Sequence, residues 1–261
     1  MGLHTQALKT GVIIPTYRHV SRLAGILDLV VEAGLPVLVI DDGNAPDDRN
    51  AIIAACTGRA GVQCLHRNEN GGKGSAVKDG LLAALAKGWT HAIQLDADGQ
   101  HDTSRLGDLV SLAETHPNHV ICAVPVYDET IPKARKIGRE ITHFWVRVET
   151  LSNEISDSMC GLRVYPLEET CHVVRREFIG ARMDFDTEIL VQLNWRGLRI
   201  IELPVRVTYP EENISNFRML QDNIRISLMH TRLSVQAPFR VPIRMLRRRF
   251  IKRYQRAEPA G

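Results

Sequence analysis

Gln94-Leu95-Asp96-Ala97-Asp98-Gly99-Gln100-His101 is the stretch on which the reading of this chain turns. Ala92, Ile93 and Leu95 lead into it as the end of a buried strand, and two carboxylates follow with one residue between them. Residues i and i+2 of an extended strand project to the same side, so Asp96 and Asp98 are expected next to each other. Like charges so placed repel unless a cation lies between them. Hard oxygen ligands suit Mg²⁺ or Mn²⁺, ions that commonly share their coordination with substrate phosphates. The segment therefore reads as a metal-diphosphate clamp at the carboxyl end of a strand, where open α/β sheets bind ligands. A solvated turn is the competing reading, since Asp and Gly are ordinary turn residues. The neighbouring motifs favour the clamp.

Strand and helix patterns alternate on both sides of this segment. Apolar runs at 11–15, 36–41, 61–66, 90–95 and 119–123 read as strands. Between them, residues 20–33, 47–57, 73–87 and 103–115 carry helical spacing, for example Leu23, Ile26, Leu27, Val30 and Val31. Continuous apolar strands interleaved with amphipathic helices predict an α/β fold, a mostly parallel sheet covered on both faces. Beyond about residue 125 the rhythm loosens. A helix is expected over 133–152, a turn and strand over 157–165, a helix over 185–196, a strand over 198–207 and a helix over 216–232. An Arg-rich tail follows over 238–256.

The chain has 261 residues, a hydrophobic fraction of 44% and a net charge of +3. This suffices for a sizeable core, and so balanced a charge does not point to nucleic acid. Five cysteines without C-x-x-C spacing fit reduced thiols. The first residues lack a signal-peptide pattern, and no apolar run reaches membrane-spanning length.

Two further strand ends join the first. Pro15 is expected to stop the first strand and leave Tyr17 free to stack on a flat ring. Asp41-Asp42-Gly43 ends the second, where Asp42 is placed to accept hydrogen bonds from a base or ribose. Asn68-Glu69-Asn70-Gly71-Gly72-Lys73-Gly74 precedes a helix whose N-terminal NH groups attract anions, and Lys73 is placed to meet a phosphate. It matches neither the P-loop nor G-x-G-x-x-G, and a plain Gly-rich turn is the alternative.

The order of these pieces resembles the family-2 glycosyltransferases of GT-A fold, and within them the dolichol-phosphate mannose synthase-like branch. The resemblance rests on Pro15-Thr16-Tyr17, Asp41-Asp42-Gly43, Asn68 with Gly71-Gly72-Lys73-Gly74, and Asp96-Ala97-Asp98-Gly99-Gln100-His101. Asp157 to Tyr165 and Phe185-Asp186-Thr187-Glu188 extend it, over roughly residues 10 to 217. It implies a nucleoside-diphosphate sugar held by Pro15, Tyr17, Asp42, Lys73 and Asp96. It also implies Mg²⁺ or Mn²⁺ on Asp96, Asp98 and Gln100, and an inverting transfer. In that branch the acceptor is a polyprenyl monophosphate, already ionised and in need of positioning rather than a base. Arg135 and Arg139, at i and i+4, are candidates to hold that phosphate; a solvated helix start is the alternative.

The chain also departs from the branch. Ala123-Val124-Pro125-Val126-Tyr127 stands where a Gly-Ser-Arg segment is usual, and Tyr209 to Phe217 replaces a basic Arg-x-x-Gly-x-Ser-Lys element. A lipid hydroxyl acceptor therefore stays open, with Asp157 or Asp186 as its base. Either is alternatively a helix cap, the commonest use of Asp and the favoured reading for Asp186.

Residues 1–217 are thus expected to form the catalytic domain and 218–261 a basic amphipathic appendage. Val241, Met245 and Leu246 share a helical face in that appendage, with Phe250 near its edge and Arg247, Arg248, Arg249 and Lys252 around it. Such a helix suits an anionic membrane surface, here the inner face of the cytoplasmic membrane. Packing against the fold or a partner is the alternative. The rival functions are a sugar-phosphate nucleotidyltransferase and a silent membrane scaffold. Donor sugar, base and oligomeric state are not set by the sequence.

Overall fold

The computed structural model describes residues 8–126, 133–206 and 217–257, with the side chains of 133–136 and 250–257 outside that description. Tyr127, most of the Tyr209–Phe217 segment, and the side chains of Arg135 and Phe250 thus lie outside the described residues.

Seven strands form one sheet: β1 (Thr10–Thr16), β2 (Val37–Asp41), β3 (Val62–His66), β4 (His91–Gln94), β5 (His119–Val126), β6 (Arg163–Pro166) and β7 (Arg199–Arg206). Their order is β3-β2-β1-β4-β6-β5-β7. β6 runs antiparallel to both neighbours and the other pairings are parallel. Alternate strand residues feed two cores. Ile13, Leu38, Ile40, Val120 and Cys122 face one, and Val12, Ile14, Val39, Ile121 and Ala123 the other. Burial on both faces is why these strands read as unbroken apolar runs.

Helices α1 (Leu23–Glu32), α2 (Pro46–Cys56) and α4 (Leu106–Thr115) close one core. Helices α3 (Lys73–Ala86), α5 (Lys133–Thr150), α6 (Leu167–Arg176), α7 (Phe185–Arg196) and α8 (Met219–Ala257) close the other. After β1 the chain builds outward to β3, then crosses back to set β4 on the far side of β1. The carboxyl ends of β1, β2 and β4 therefore open onto one crevice, the topological switch point where ligands bind in such sheets.

Several expectations change. Pro15 does not stop β1, which pairs with β2 as far as Thr16 opposite Asp41. The reason is parity. Ile13 accepts from Leu95 on the β4 side, so Pro15 turns its missing NH to that same side, beyond the last β4 pairing at Ile13–Gln94. β4 ends at Gln94, so Asp96 and Asp98 lie in a turn past the strand rather than on alternate positions of it. Helix α6 was not anticipated. The helix expected over 216–232 and the tail over 238–256 are one helix, continuous through Pro238 and Pro242. Each internal proline costs about 3 kcal/mol. A buried stripe of Met229, Leu233, Ala237 and Val241 runs past both and holds the helix in register. Val241, assigned to a lipid face, is therefore core.

Helix α7 is buried along its length from Phe185 to Trp195, polar residues included. This is tolerated because its polar groups are partnered. Glu188 pairs with Arg232 at 2.5 Å, and Asn194 accepts from Arg244 at 2.6 Å. Arg248 forks onto Glu154 with two 2.8 Å bonds, and Arg240 onto Glu177. Arg248, expected beside lipid, thus ties α8 to the fold.

Candidate functional site

The crevice is braced before it is furnished. Asp41 is fully buried and accepts from Asn44, Arg49 and His66. Burial pushes its carboxyl up, but these donors outweigh it and hold its pKa below the usual value. Asn44 also donates to the Thr16 carbonyl and accepts from the Arg18 amide, tying the ends of β1 and β2 together. Asp42 is 2% exposed and receives four donors: Arg67 Nη1, Asn70 Nδ2 at 2.9 Å, Gly71 N at 3.0 Å and Gly72 N at 2.9 Å. With these donors the Asp42 carboxylate shapes the Asn70–Gly72 turn. Gly72 holds φ at +94° there, a conformation that suits glycine. Pro15 is buried in β1, whereas Tyr17 is half-buried just beyond it, with the Arg18 guanidinium 5.3 Å from its ring centroid.

That turn delivers Lys73, the first residue of α3. Its ammonium bridges two carboxylates, Asp96 at 2.9 Å and Asp186 at 2.8 Å. Burial pulls the Lys73 pKa down, but Asp186 and Asp96 outweigh it and raise it. Burial likewise pushes Asp96 up, yet Lys73 and His101 hold it well below the ordinary carboxylate range. Asp186 is no cap. It lies in the first turn of α7 and also accepts from Gln94 Nε2 at 3.0 Å. Gln94 in turn accepts from Tyr165, and buried Arg163 donates to the Asp186 and Ser158 carbonyls. Gly161 lies against the pair, where any β-carbon would overlap the Asp96 carboxylate.

Asp98 is the uncompensated member. Burial and then Asp96 push its pKa up, and among the described residues no basic side chain pairs with it. One of its oxygens accepts from the Gln100 amide at 3.0 Å. His101 Nε2 stands 3.8 Å from Asp96. These donors fit a hard divalent ion, which would relieve the repulsion that Asp98 carries. They are too few to enclose one. Among the described residues no group of three or more His, Cys, Asp or Glu side chains is placed to hold a metal. The remaining ligands would come from diphosphate and water.

On the far side of the crevice, two residues expected in separate roles meet. Arg139 Nη2 donates to Asp157, which also accepts from the Met159 and Cys160 amides at 2.8 and 2.9 Å. Burial pushes Asp157 up, but Arg139 outweighs it and the pKa falls below the usual value. Burial keeps the pKa of neighbouring His143 low. Arg67 escaped the sequence reading, and Gln94, Gly161, Arg163 and Tyr165, which lie within the motifs quoted above, carry no assigned role there. Arg163 and Tyr165 alternate with Val164 on β6, and a buried arginine in so short an apolar strand was the available signal.

The sequence profile described as Glycosyl transferase family 2 matches residues 11–181. The polyprenol monophosphomannose synthase of Mycolicibacterium smegmatis is 28% identical over 228 residues, covering 83% of this chain and 83% of the relative. The dolichyl-phosphate beta-glucosyltransferase of Dictyostelium discoideum is 25% identical over 241 residues, covering 82% of this chain and 72% of the relative. Among solved structures, the glucosyl-3-phosphoglycerate synthase of Mycobacterium tuberculosis, in complex with Mn²⁺, UDP-glucose and phosphoglyceric acid, superposes with a TM-score of 0.59. It is 13% identical, and the match covers 90% of this chain and 80% of that one. The fold is thereby shown to be of GT-A type.

Proposed function

Because the chain belongs to glycosyl transferase family 2, we propose that it moves a sugar from a nucleoside-diphosphate donor to a polyprenyl monophosphate, with inversion at the anomeric carbon and Mg²⁺ or Mn²⁺ as cofactor. That it is a glycosyltransferase follows from the family and the relatives together, which sets aside both the nucleotidyltransferase and the silent scaffold. One observation carries the choice of acceptor. The two carboxylates available as a base, Asp157 and Asp186, are engaged by Arg139 and Lys73. A hydroxyl must lose its proton as it attacks, and Asp157, with its depressed pKa, is a poor recipient. A phosphate oxygen needs no base.

Asp96 and Asp98, with Gln100 beside them, would hold the metal. When bound it would offset charge on the departing diphosphate. Asp42 fixes the turn that aims Lys73 at the diphosphate position, and Tyr17 stacks on the base. Arg139, steadied by Asp157 and joined by Arg135, orients the acceptor phosphate. One relative is named for polyprenol monophosphomannose and the other for dolichyl phosphate, and among the described residues no helix is long and apolar enough to cross a membrane. A peripheral place on the inner face of the cytoplasmic membrane, in cell-envelope glycolipid synthesis, fits these facts.

The test is incubation with a panel of nucleotide sugars and polyprenyl monophosphate, with divalent metal or with chelator, followed by product mass spectrometry. Metal-dependent appearance of a glycosylated lipid phosphate supports the reading. Transfer undiminished in excess chelator contradicts it.

A further inference from the structure

Helix α8 has two apolar faces. The inner one packs on the fold through Met229, Leu233, Ala237 and Val241. On the opposite side Leu220, Ile224, Leu228, Val235, Phe239 and Leu246 are all exposed, Leu220 by 74% and Phe239 by 73%. Their successive spacings are of four or seven residues, so they form one stripe. At 1.5 Å per residue it runs for about 39 Å. Helix α5, joined to α8 by the 2.8 Å Glu149–His230 contact, adds a shorter exposed stripe at Ile137, Ile141 and Phe144. Scattered apolar residues on a surface are ordinary. A stripe spanning seven helical turns is not, and nothing in the fold's packing requires it.

Charge selects the occupant. Residues 219–257 contain ten Lys/Arg and one carboxylate, Asp222, and Asp222 is buried against Arg225 and the Arg218 amide. The outer side of α8 therefore presents no negative charge, while Arg247 and Arg249 are exposed at the end of the stripe; the shorter α5 stripe carries one exposed carboxylate, Glu140, beside Ile137, Ile141 and Phe144. Two copies facing each other here would bring cations together. A negatively charged bilayer satisfies both the apolar stripe and the cations. We propose that the outer face of α8, extended by Ile137–Phe144 of α5, lies along an anionic lipid surface, and that this face, not the Arg-rich end alone, seats the enzyme. The inference builds on the lipid-acceptor reading, because it brings the Arg139 end of α5 to the membrane where a lipid phosphate resides.

The test uses the full chain and vesicles of phosphatidylcholine and phosphatidylglycerol at roughly three to one, so that the surface is anionic. The double variant Leu228→Glu/Phe239→Glu alters only exposed positions. Losing two apolar side chains that would insert into the bilayer should weaken partitioning on the order of 100-fold. Nucleotide-sugar binding and transfer to a short, water-soluble acceptor phosphate should stay unchanged, while transfer to bilayer-embedded acceptor falls with partitioning. Equal sedimentation of variant and parent with vesicles overturns the proposal. So does a parent that ignores vesicles but forms a dimer that the variant dissolves, which would make a second copy the occupant. Vesicle binding lost in the variant, with no transfer to either acceptor by the parent, would instead fault the acceptor reading and leave the surface assigned.

Discussion

Replacing Lys73 by Met removes the cation that bridges Asp96 and Asp186 while keeping much of the aliphatic volume. The ammonium lies 2.9 and 2.8 Å from the two carboxylates, whose side chains are 21% and 7% exposed. Breaking a buried pair from one side costs about 3–5 kcal/mol, because a charge is left without its partner. Water reaches Asp96 in part, so the lower figure of about 3 kcal/mol applies. At 2–4 °C per kcal/mol for a domain of this size, the melting temperature should fall by roughly 6–12 °C at neutral pH. The pH dependence identifies the cause. In the parent, Asp96 is held below its ordinary pKa, so the pair contributes fully at neutral pH and is lost only as pH falls through that depressed value. In the variant Asp96 keeps its burial but loses the cation that holds its pKa down, so it gains by taking up a proton. The variant's deficit should therefore shrink as pH falls from about 7 to about 5. Lys73→Arg, which keeps the charge, should recover part of the stability. Differential scanning calorimetry across this range is the assay. A deficit that is absent, or constant with pH, would refute the bridge.

Three other outcomes follow. Asp98→Asn should melt at or above the parent at neutral pH, because burial and Asp96 disfavour the charged Asp98, while Mn²⁺-dependent nucleotide-sugar binding, followed by calorimetry, should fall steeply. Asp42→Ala should lower the melting temperature and raise the donor KM together, since four donors lose their acceptor; a cost of about 3 kcal/mol is expected, and a KM effect without destabilisation would restore direct nucleoside contact. Gly161→Ala should abolish transfer, because its β-carbon would displace the Asp96 carboxylate, with a single-turnover assay showing whether any chemistry remains.

The sheet and the crevice were legible because double-sided burial writes each parallel strand as an apolar run and because the carboxylates follow those runs directly. What these carboxylates touch was not legible. Asp42 looked free for a ligand since Asn70, Gly71 and Gly72 return to it only after a whole strand, and Lys73 meets Asp186 across more than a hundred residues. Such partners are set by tertiary packing, which leaves no local pattern. Helix α6 did carry a signal, Glu168 and Glu169 in its first turn and Arg175 and Arg176 in its last, in accord with the helix dipole. Pro238 and Pro242 concealed the continuity of α8, because local propensity there is overridden by a buried stripe lying on the far side of the helix.

The lipid-phosphate reading requires an acceptor that is ionised before it attacks. Its most direct test compares kcat/KM for a polyprenyl monophosphate and for the polyprenol of the same chain length, in the same detergent, with metal and nucleotide sugar held saturating. Transfer is expected to the phosphate alone, surviving in Asp157→Asn with a raised acceptor KM as Arg139 loses its anchor. Comparable transfer to the free alcohol, abolished in kcat by Asp157→Asn, would contradict it and make Asp157 the base.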